Sequence, residues 1–216
     1  RVVNSQEPLE QVLQQRYPWC AQWQAELKTL FRAYVADKQT QCVLDYDDLL
    51  LYWSHMLDDA ALARELGARF PHVLVDEYQD TNRLQARVLR ALKPDGRGLA
   101  VVGDDSQAIY AFRGADIFTY LRARQACAGR LYTLKKNYRA TQAMVRAANR
   151  CFQAAEERPT GQGAFLFRQE TANPVPFIQA EAQGRADALQ ADGQALPALT
   201  VWWLPPPEGG KPLGKE

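Results

Sequence analysis

Histidine is scarce, cysteine is sparse and scattered, and neither sign of charge dominates. His55 and His72 are the two histidines, and Cys20, Cys42, Cys127 and Cys151 stand far apart with no CxxC pair. Structural zinc needs four nitrogen or sulfur ligands, usually delivered as closely spaced pairs, so this set argues against a zinc site. The same cysteines predict reduced, mostly buried thiols in a cytoplasmic protein. No apolar run approaches the roughly 18 residues of a membrane span, and the N-terminus has no signal-peptide pattern, so no membrane partner is expected. Net charge is +1, from 26 basic against 25 acidic residues. That balance removes any global electrostatic case for nucleic-acid binding, and contact with DNA would have to be local.

What is present is ordinary in bulk and unusual in detail. The 216 residues are 47% hydrophobic and 24% charged, enough for one good core and part of a second. Leu9 to Ala36 has helix-like apolar spacing broken by Pro18, which predicts two helices, the second over Trp19 to Val35. Asp45 is placed to cap a helix carrying Leu49, Leu50, Tyr52, Trp53 and Met56. A short helix over Ala60 to Ala68 is expected to close at Gly67. The pattern then alternates: buried strand His72–Val75, helix Asn82–Leu92, strand Leu99–Val102, helix Ile117–Ala126, strand Leu131–Leu134, and a helix from Thr141 to Ala155 with Thr141 as its cap. This predicts an α/β fold, a parallel sheet flanked by helices, with a helical N-terminal segment. Arg158 to Gly163 reads as a linker, Leu199 to Leu204 as a lone strand, and the last dozen residues as unstructured.

Chemistry concentrates where the predicted strands end, the edge at which such sheets bind ligands; Asp76, Asp104 and Arg139 would all fall there. Val73-Leu74-Val75 leads into Asp76-Glu77-Tyr78-Gln79-Asp80. In a nucleotide hydrolase the first carboxylate would hold Mg²⁺ and the second would accept a proton from the water attacking the γ-phosphate. The alternative is an acid pair capping the next helix. Gln79 and Asp80 are expected to hydrogen-bond neighbouring loops, with Gln79 near the nucleotide. Gly103-Asp104-Asp105-Ser106 then presents Gln107, whose neutral amide could meet a γ-phosphate or the attacking water and so report which nucleotide is bound; the alternative is a solvent-facing turn residue. Tyr110, Phe112 and Arg113 come directly after it. Aromatic faces stack on unpaired bases for about 1–3 kcal/mol each without regard to sequence. Tyr110 could equally be core.

Three segments, DEYQDTN from Asp76, GDDSQAIYAFRGAD from Gly103 and Asn137-Tyr138-Arg139, resemble in that order the second, third and fourth motifs of superfamily 1 DNA helicases of the UvrD/Rep/RecB group. From Asp45 to Gly103, including Tyr46-Asp47-Asp48-Leu49-Leu50, the wording is most similar to UvrD/Rep helicases. From Ala108 onward, through FRGADIFTYLRAR and AFLFR, it is more similar to RecB; phenylalanine at 112, where UvrD-like members carry tryptophan, agrees. A divergent RecB-like protein and a composite both account for this.

The resemblance implies a partial RecA-like core over 45–156, a helical segment over 1–44 belonging to an inserted domain or its junction, and the start of a second domain over 157–216. It implies ATP and Mg²⁺ as cofactors, with Asp76, Gln79, Gln107 and Arg139 around the nucleotide. Glu77, Gln107 and Arg139 would be catalytic, Arg139 as the arginine that reaches the γ-phosphate; a salt bridge to Asp104 or Asp116 is the competing role. The implied activity is 3′-to-5′ DNA unwinding coupled to ATP hydrolysis in repair or recombination. Single-stranded DNA and single-strand/duplex junctions would be its substrates, and RecC- or RecD-like subunits its partners if the protein is RecB-like. No Gly-x-x-x-x-Gly-Lys-[Ser/Thr] phosphate loop occurs in the 216 residues. The expectation is an internal fragment whose phosphate loop lies upstream and which does not turn over ATP alone. A DNA- or partner-binding remnant without catalysis is the second reading. A convergent, unrelated nucleotide hydrolase is the third, and the aromatics beside Gln107 argue against it.

Overall fold

The computed structural model describes residues 2–184, 187–188 and 190–202; the side chains of Val2, Asn4, Phe112 and Arg113 lie outside that description. The chain divides into two compact units, Arg1–Leu131 and Tyr132–Glu216. No helix among the described residues is long and apolar enough to cross a membrane.

The first unit opens with α1 (Val2–Ser5) and α2 (Leu9–Arg16), then a 3₁₀ segment, Pro18–Trp23, then α3 (Gln24–Gln41). Proline starts the 3₁₀ segment because it has no N–H to lose there. The helix expected over Trp19–Val35 therefore begins later and runs further, to Cys42, which ends it in the left-handed conformation at φ +53°. Next comes α4 (Tyr46–Met56), capped as expected by Asp45. The Asp48 N–H donates to Asp45 Oδ1 at 2.8 Å and the Asp45 N–H to Asp48 Oδ2 at 3.0 Å, a reciprocal capping box.

Lys38 of α3 fastens the two helices by donating to Asp45 Oδ2 at 2.8 Å and Asp48 Oδ2 at 2.6 Å. Its hydrogen bond, with the Asp48 N–H second, lowers the Asp45 carboxyl to about 2, and the two carboxylates push the Lys38 ammonium up. A depressed acid stabilises the fold above its ordinary value near 4 and loses that contribution as pH falls through the folded value. The melting temperature should therefore drop between pH 4 and about 2 more steeply in the wild type than in Asp45→Asn, which keeps a capping oxygen without the charge. Parallel wild-type and variant profiles would contradict this.

A core forms where α4, α5 (Ala60–Arg69) and α6 (Arg83–Leu92) meet, around Leu57, Ala63, Val88 and Leu92. Leu84, Val88 and Leu92 recur every four residues on one face of α6, and Asn82 caps it with Gln85 in a second capping box. Gly67 does not close α5. The helix runs through it to Arg69, and a Cβ at 67 would stand 2.5 Å from the Leu92 carbonyl oxygen. Glycine is there because the end of α6 passes that close. Lys93 then donates to the Gly67 carbonyl at 2.9 Å, satisfying a helix-end acceptor.

β1 (Val73–Val75) and β2 (Leu99–Val101) pair in parallel, Val73 against Leu99 and Val75 against Val101. Among the described residues this sheet has two strands, not the expected three, because Leu131–Leu134 is irregular. Nor is β1 buried on both faces. Its side chains alternate, and Leu74 is 77% exposed on the face that no described layer covers. α7 (Ile117–Ala126) matches its predicted bounds, with Asp116 as its cap.

In the second unit β3 is Lys136–Asn137, paired in parallel with β4 (Glu181–Ala182). α8 (Gln142–Glu156) is capped by Thr141, as predicted, and its Asn149 side chain clasps Ala180 through both backbone groups. The expected linker, Arg158–Gly163, is instead fastened. Arg168 donates to the carbonyls of Glu156, Arg158 and Gly161, while the Glu156 carboxylate accepts from the Ala164 N–H and from Asn173. Phe152, Phe165 and Phe177 pack ring to ring beside this knot, at 5.5–6.3 Å between centroids. β5 (Gln190–Ala191) and β6 (Gln194–Ala195) form a small hairpin. Leu199–Trp202 is not a strand, and Trp203, Leu204 and the expected unstructured tail lie outside the described residues. The cysteines are less buried than expected: Cys42 ends α3 and is exposed, Cys151 on α8 is exposed, and Cys20 and Cys127 are half-buried.

Candidate active site

Because β1 and β2 run parallel, the segments after them leave the same edge of the sheet. Two backbone bonds hold those segments together: the Val102 N–H donates to the Val75 carbonyl at 2.8 Å, and the Tyr78 N–H to the Val102 carbonyl at 2.9 Å. Asp76 and Glu77 emerge there, both exposed. Glu77 adopts the left-handed conformation, φ +50° and ψ +42°, which costs a non-glycine residue about 1–2 kcal/mol. Its N–H is held by Asp76 Oδ1 at 2.9 Å, and its carbonyl accepts from the Asp80 N–H at 2.9 Å. Strain of this kind persists only where the surrounding structure holds it, here the Asp76 and Asp80 bonds.

The pair does not cap the next helix, since that role belongs to Asn82. Asp76 Oδ2 and Glu77 Oε1 accept no hydrogen bond among the described residues. Asp76 is thus open to a cation. Magnesium typically takes one or two protein carboxylates and fills its remaining positions with water and substrate phosphates, so one open aspartate fits it. Among the described residues no group of three or more His, Cys, Asp or Glu forms a closed metal cage.

Gln79 is 2% exposed, although it lies two residues from that open carboxylate. Its Nε2 donates to Glu77 Oε2 at 2.6 Å, and its Oε1 accepts the Asp104 N–H at 3.0 Å. The expectation that Gln79 bonds a neighbouring loop is met. Gly103 makes this possible, because a Cβ there would lie 2.9 Å from both Gln79 Oε1 and a Tyr120 ring carbon. Beyond Gly103 the chain forms a 3₁₀ turn, Asp105–Gln107, capped by Asp104. Asp104 Oδ1 accepts from the Ser106 N–H at 3.0 Å and its hydroxyl at 2.5 Å, and Oδ2 accepts from Gln107 Nε2 at 2.8 Å. Burial opposes ionisation of Asp104, but the donors of Ser106 and Gln107 outweigh it and hold the carboxyl below its ordinary range. Burial pushes the neighbouring Asp105 up, even though the Arg124 guanidinium of α7 lies 2.5 Å away.

Glu77, Gln79 and Gln107 are therefore brought together in one chain of hydrogen bonds, with Asp76 beside it. Sequence reasoning overlooked Asp104 and Gly103 as the parts that assemble it. An Asp two residues before a Ser, after a glycine, is the local signal of such a turn. Tyr110 is half-buried at the start of a 3₁₀ segment, Tyr110–Arg113, which Gly114 closes at φ +95°. The side chains of Phe112 and Arg113, the other two candidate DNA contacts, lie outside the described residues. Asp116 accepts from Arg83 Nε at 3.0 Å and Thr119 Oγ1 at 2.8 Å, so the first unit supplies this carboxylate with partners of its own. Arg139 belongs to the second unit. It is exposed on the turn after β3, where Asn137 Oδ1 accepts the N–H groups of Arg139 and Ala140 at 3.0 and 2.8 Å. An open cleft of about 460 Å³ lies at the opposite edge of the sheet, near His72, Lys93 and Gly98, away from the carboxylates.

Residues 4–128 match the family model of the UvrD/REP helicase N-terminal domain. Over 176 residues the chain is 36% identical to the RecBCD enzyme subunit RecB of Escherichia coli K12, covering 78% of this chain and 14% of that protein. Over 168 residues it is 37% identical to the ATP-dependent DNA helicase UvrD2 of Mycobacterium tuberculosis H37Rv, covering 77% of this chain and 24% of that protein. RecB of Mycolicibacterium smegmatis is 44% identical over 110 residues, half of this chain and 10% of that protein. The chain thus spans less than a quarter of the length of these relatives.

Proposed function

The chain belongs to the UvrD/Rep family of DNA helicases, and we propose that it supplies the water-activating side of an ATP site that drives 3′-to-5′ movement along single-stranded DNA. The observation that carries this reading is the placement of Glu77 and Gln107 on one sheet edge, in one hydrogen-bonded chain, beside an open Asp76. Asp76 would hold Mg²⁺, which neutralises charge on the phosphates when bound. Glu77 takes the proton of the attacking water on the carboxylate oxygen that accepts no hydrogen bond among the described residues. Gln107 reads the γ-phosphate or the water. Arg139 stabilises the charge that develops on the transferring phosphoryl group. Tyr110, Phe112 and Arg113 grip unpaired bases and backbone a few residues from Gln107, so a small shift of that segment on hydrolysis moves the DNA-holding element.

In this reading 45–156 is part of a RecA-like core to which β1 and β2 belong, 1–44 is a helical segment of an inserted domain, and 157–216 begins a second domain. RecC- or RecD-like subunits are partners if the protein is RecB-like, and the setting is cytoplasmic DNA repair or recombination. One observation favours a different reading, a module that binds DNA or a partner subunit without hydrolysis: no phosphate-loop motif occurs in these 216 residues. ATP turnover by the full-length gene product, with and without single-stranded DNA, separates the two. The helicase reading expects DNA-stimulated turnover and faster unwinding of 3′-tailed than of 5′-tailed duplexes. DNA binding without turnover would establish the other.

A further inference from the structure

We infer that Gln79 is a positioning residue that ties the Glu77 carboxylate to the Gln107 amide, so that general base and nucleotide sensor act as one unit. This rests on the reading of Glu77 as the base, and extends it to a residue that is too buried to touch nucleotide.

The chemistry at both ends of the Gln79 amide fixes its orientation. A carboxylate can only accept, so the end facing Glu77 Oε2 must be the NH₂; a backbone N–H can only donate, so the end facing Asp104 must be the oxygen. A side chain that donates at one tip and accepts at the other, at this reach, is glutamine. Glutamate would set two acceptors against each other at Glu77. Asparagine is a methylene short, and an apolar side chain would leave the Asp104 N–H without its acceptor. The chain of bonds continues with the same logic: Asp104 Oδ2, an acceptor, takes the NH₂ of Gln107 at 2.8 Å.

The middle of the relay is also shielded, while Glu77, Asp104 and Gln107 at its ends are exposed. Gln79 is buried, and Gly103 and the Tyr120 ring close over its oxygen, with no room for a Cβ at 103. Hydrogen bonds sheltered from water are electrostatically stronger, and serial ones polarise each other. Glu77, held in the left-handed conformation with one carboxylate oxygen tethered, has its other oxygen without a hydrogen bond among the described residues. A Gln107 side chain drawn toward a γ-phosphate would release Asp104 Oδ2, and the loosened Asp104 loop would be felt at Gln79 Oε1 and then at Glu77.

The test uses the full-length gene product as wild type, Glu77→Gln, Gln79→Met and Gln79→Glu, with ATP binding and turnover measured separately. Methionine nearly matches the volume of glutamine without either hydrogen bond; glutamate keeps the acceptor for Asp104 and loses the donor to Glu77. Misplacement of a reacting group by an ångström costs about 100-fold, so both Gln79 variants should lose about that much kcat while ATP affinity stays within about threefold. Gln79→Met with wild-type turnover, or with binding and turnover lost together, would overturn the relay. A wild type without turnover, or an active Glu77→Gln, would instead overturn the assignment of Glu77 on which the relay rests. Should the Gln79 variants fail to fold, amide exchange in the wild type decides. The Asp104 N–H should be protected, and its protection should differ between the ADP state and that with a non-hydrolysable ATP analogue. Equal exchange in the two states would overturn the inference.

Discussion

Replacing Glu77 by glutamine should leave ATP bound and stop its hydrolysis. General-base catalysis contributes about 10²–10⁴-fold, so kcat of the full-length gene product should fall by about 1,000-fold while nucleotide affinity changes little. The substitution is mild on structural grounds. The amide oxygen it introduces can still accept from Gln79 Nε2, and the left-handed backbone at 77 is no more strained for glutamine than for glutamate. What is lost is the carboxylate proposed to accept the proton. Steady-state turnover beside equilibrium binding of labelled ATP checks this. Turnover within tenfold of the wild type would remove Glu77 from the chemistry and leave its strained geometry without a catalytic purpose.

A comparable loss is expected on the other unit. Arg139→Ala should lower kcat by about 1,000-fold, at the low end of what an arginine finger supplies. Asn137 Oδ1 holds the backbone N–H groups of residues 139 and 140, bonds that alanine retains. Lysine should restore little, because a point charge cannot reproduce the planar fork that meets two phosphate oxygens at once. Pre-steady-state measurement with saturating ATP separates the chemical step from binding. A variant that melts earlier but hydrolyses normally would mark Arg139 as structural.

Local signals were legible where the deciding partner lay nearby. Asp45 and Thr141 announced their helices because a capping oxygen bonds a backbone N–H three residues on. α7 lies at its predicted bounds, and the acid edge after β1 could be read from a short apolar strand running into carboxylates. The failures have distant partners. The run Leu131–Leu134 is apolar enough for a strand, but the residues that pair are Lys136 and Asn137, and their partner strand is Glu181–Ala182. Gly67 looked like a helix end, whereas its reason lies across the core at the Leu92 carbonyl. The Arg158–Gly163 stretch had the composition of a linker, yet Arg168 and Glu156 from either side of it tie it down.

The candidate site divides the same way. Asp76, Glu77 and Gln107 could be named from residue type and from their position just past the end of a strand. The burial of Gln79 could not, since it depends on Gly103 and Tyr120 arriving from β2 and α7. Local sequence placed these groups at the strand ends, and only tertiary packing showed which of them are joined.

The most direct test of the account is a crystal structure of the full-length gene product with Mg²⁺ and a non-hydrolysable ATP analogue. Mg²⁺ is expected at Asp76, with a water between Glu77 and the γ-phosphate and the Gln107 amide turned from Asp104 toward that phosphate or water. Nucleotide bound elsewhere, with Asp76 and Glu77 left facing bulk solvent, would contradict it.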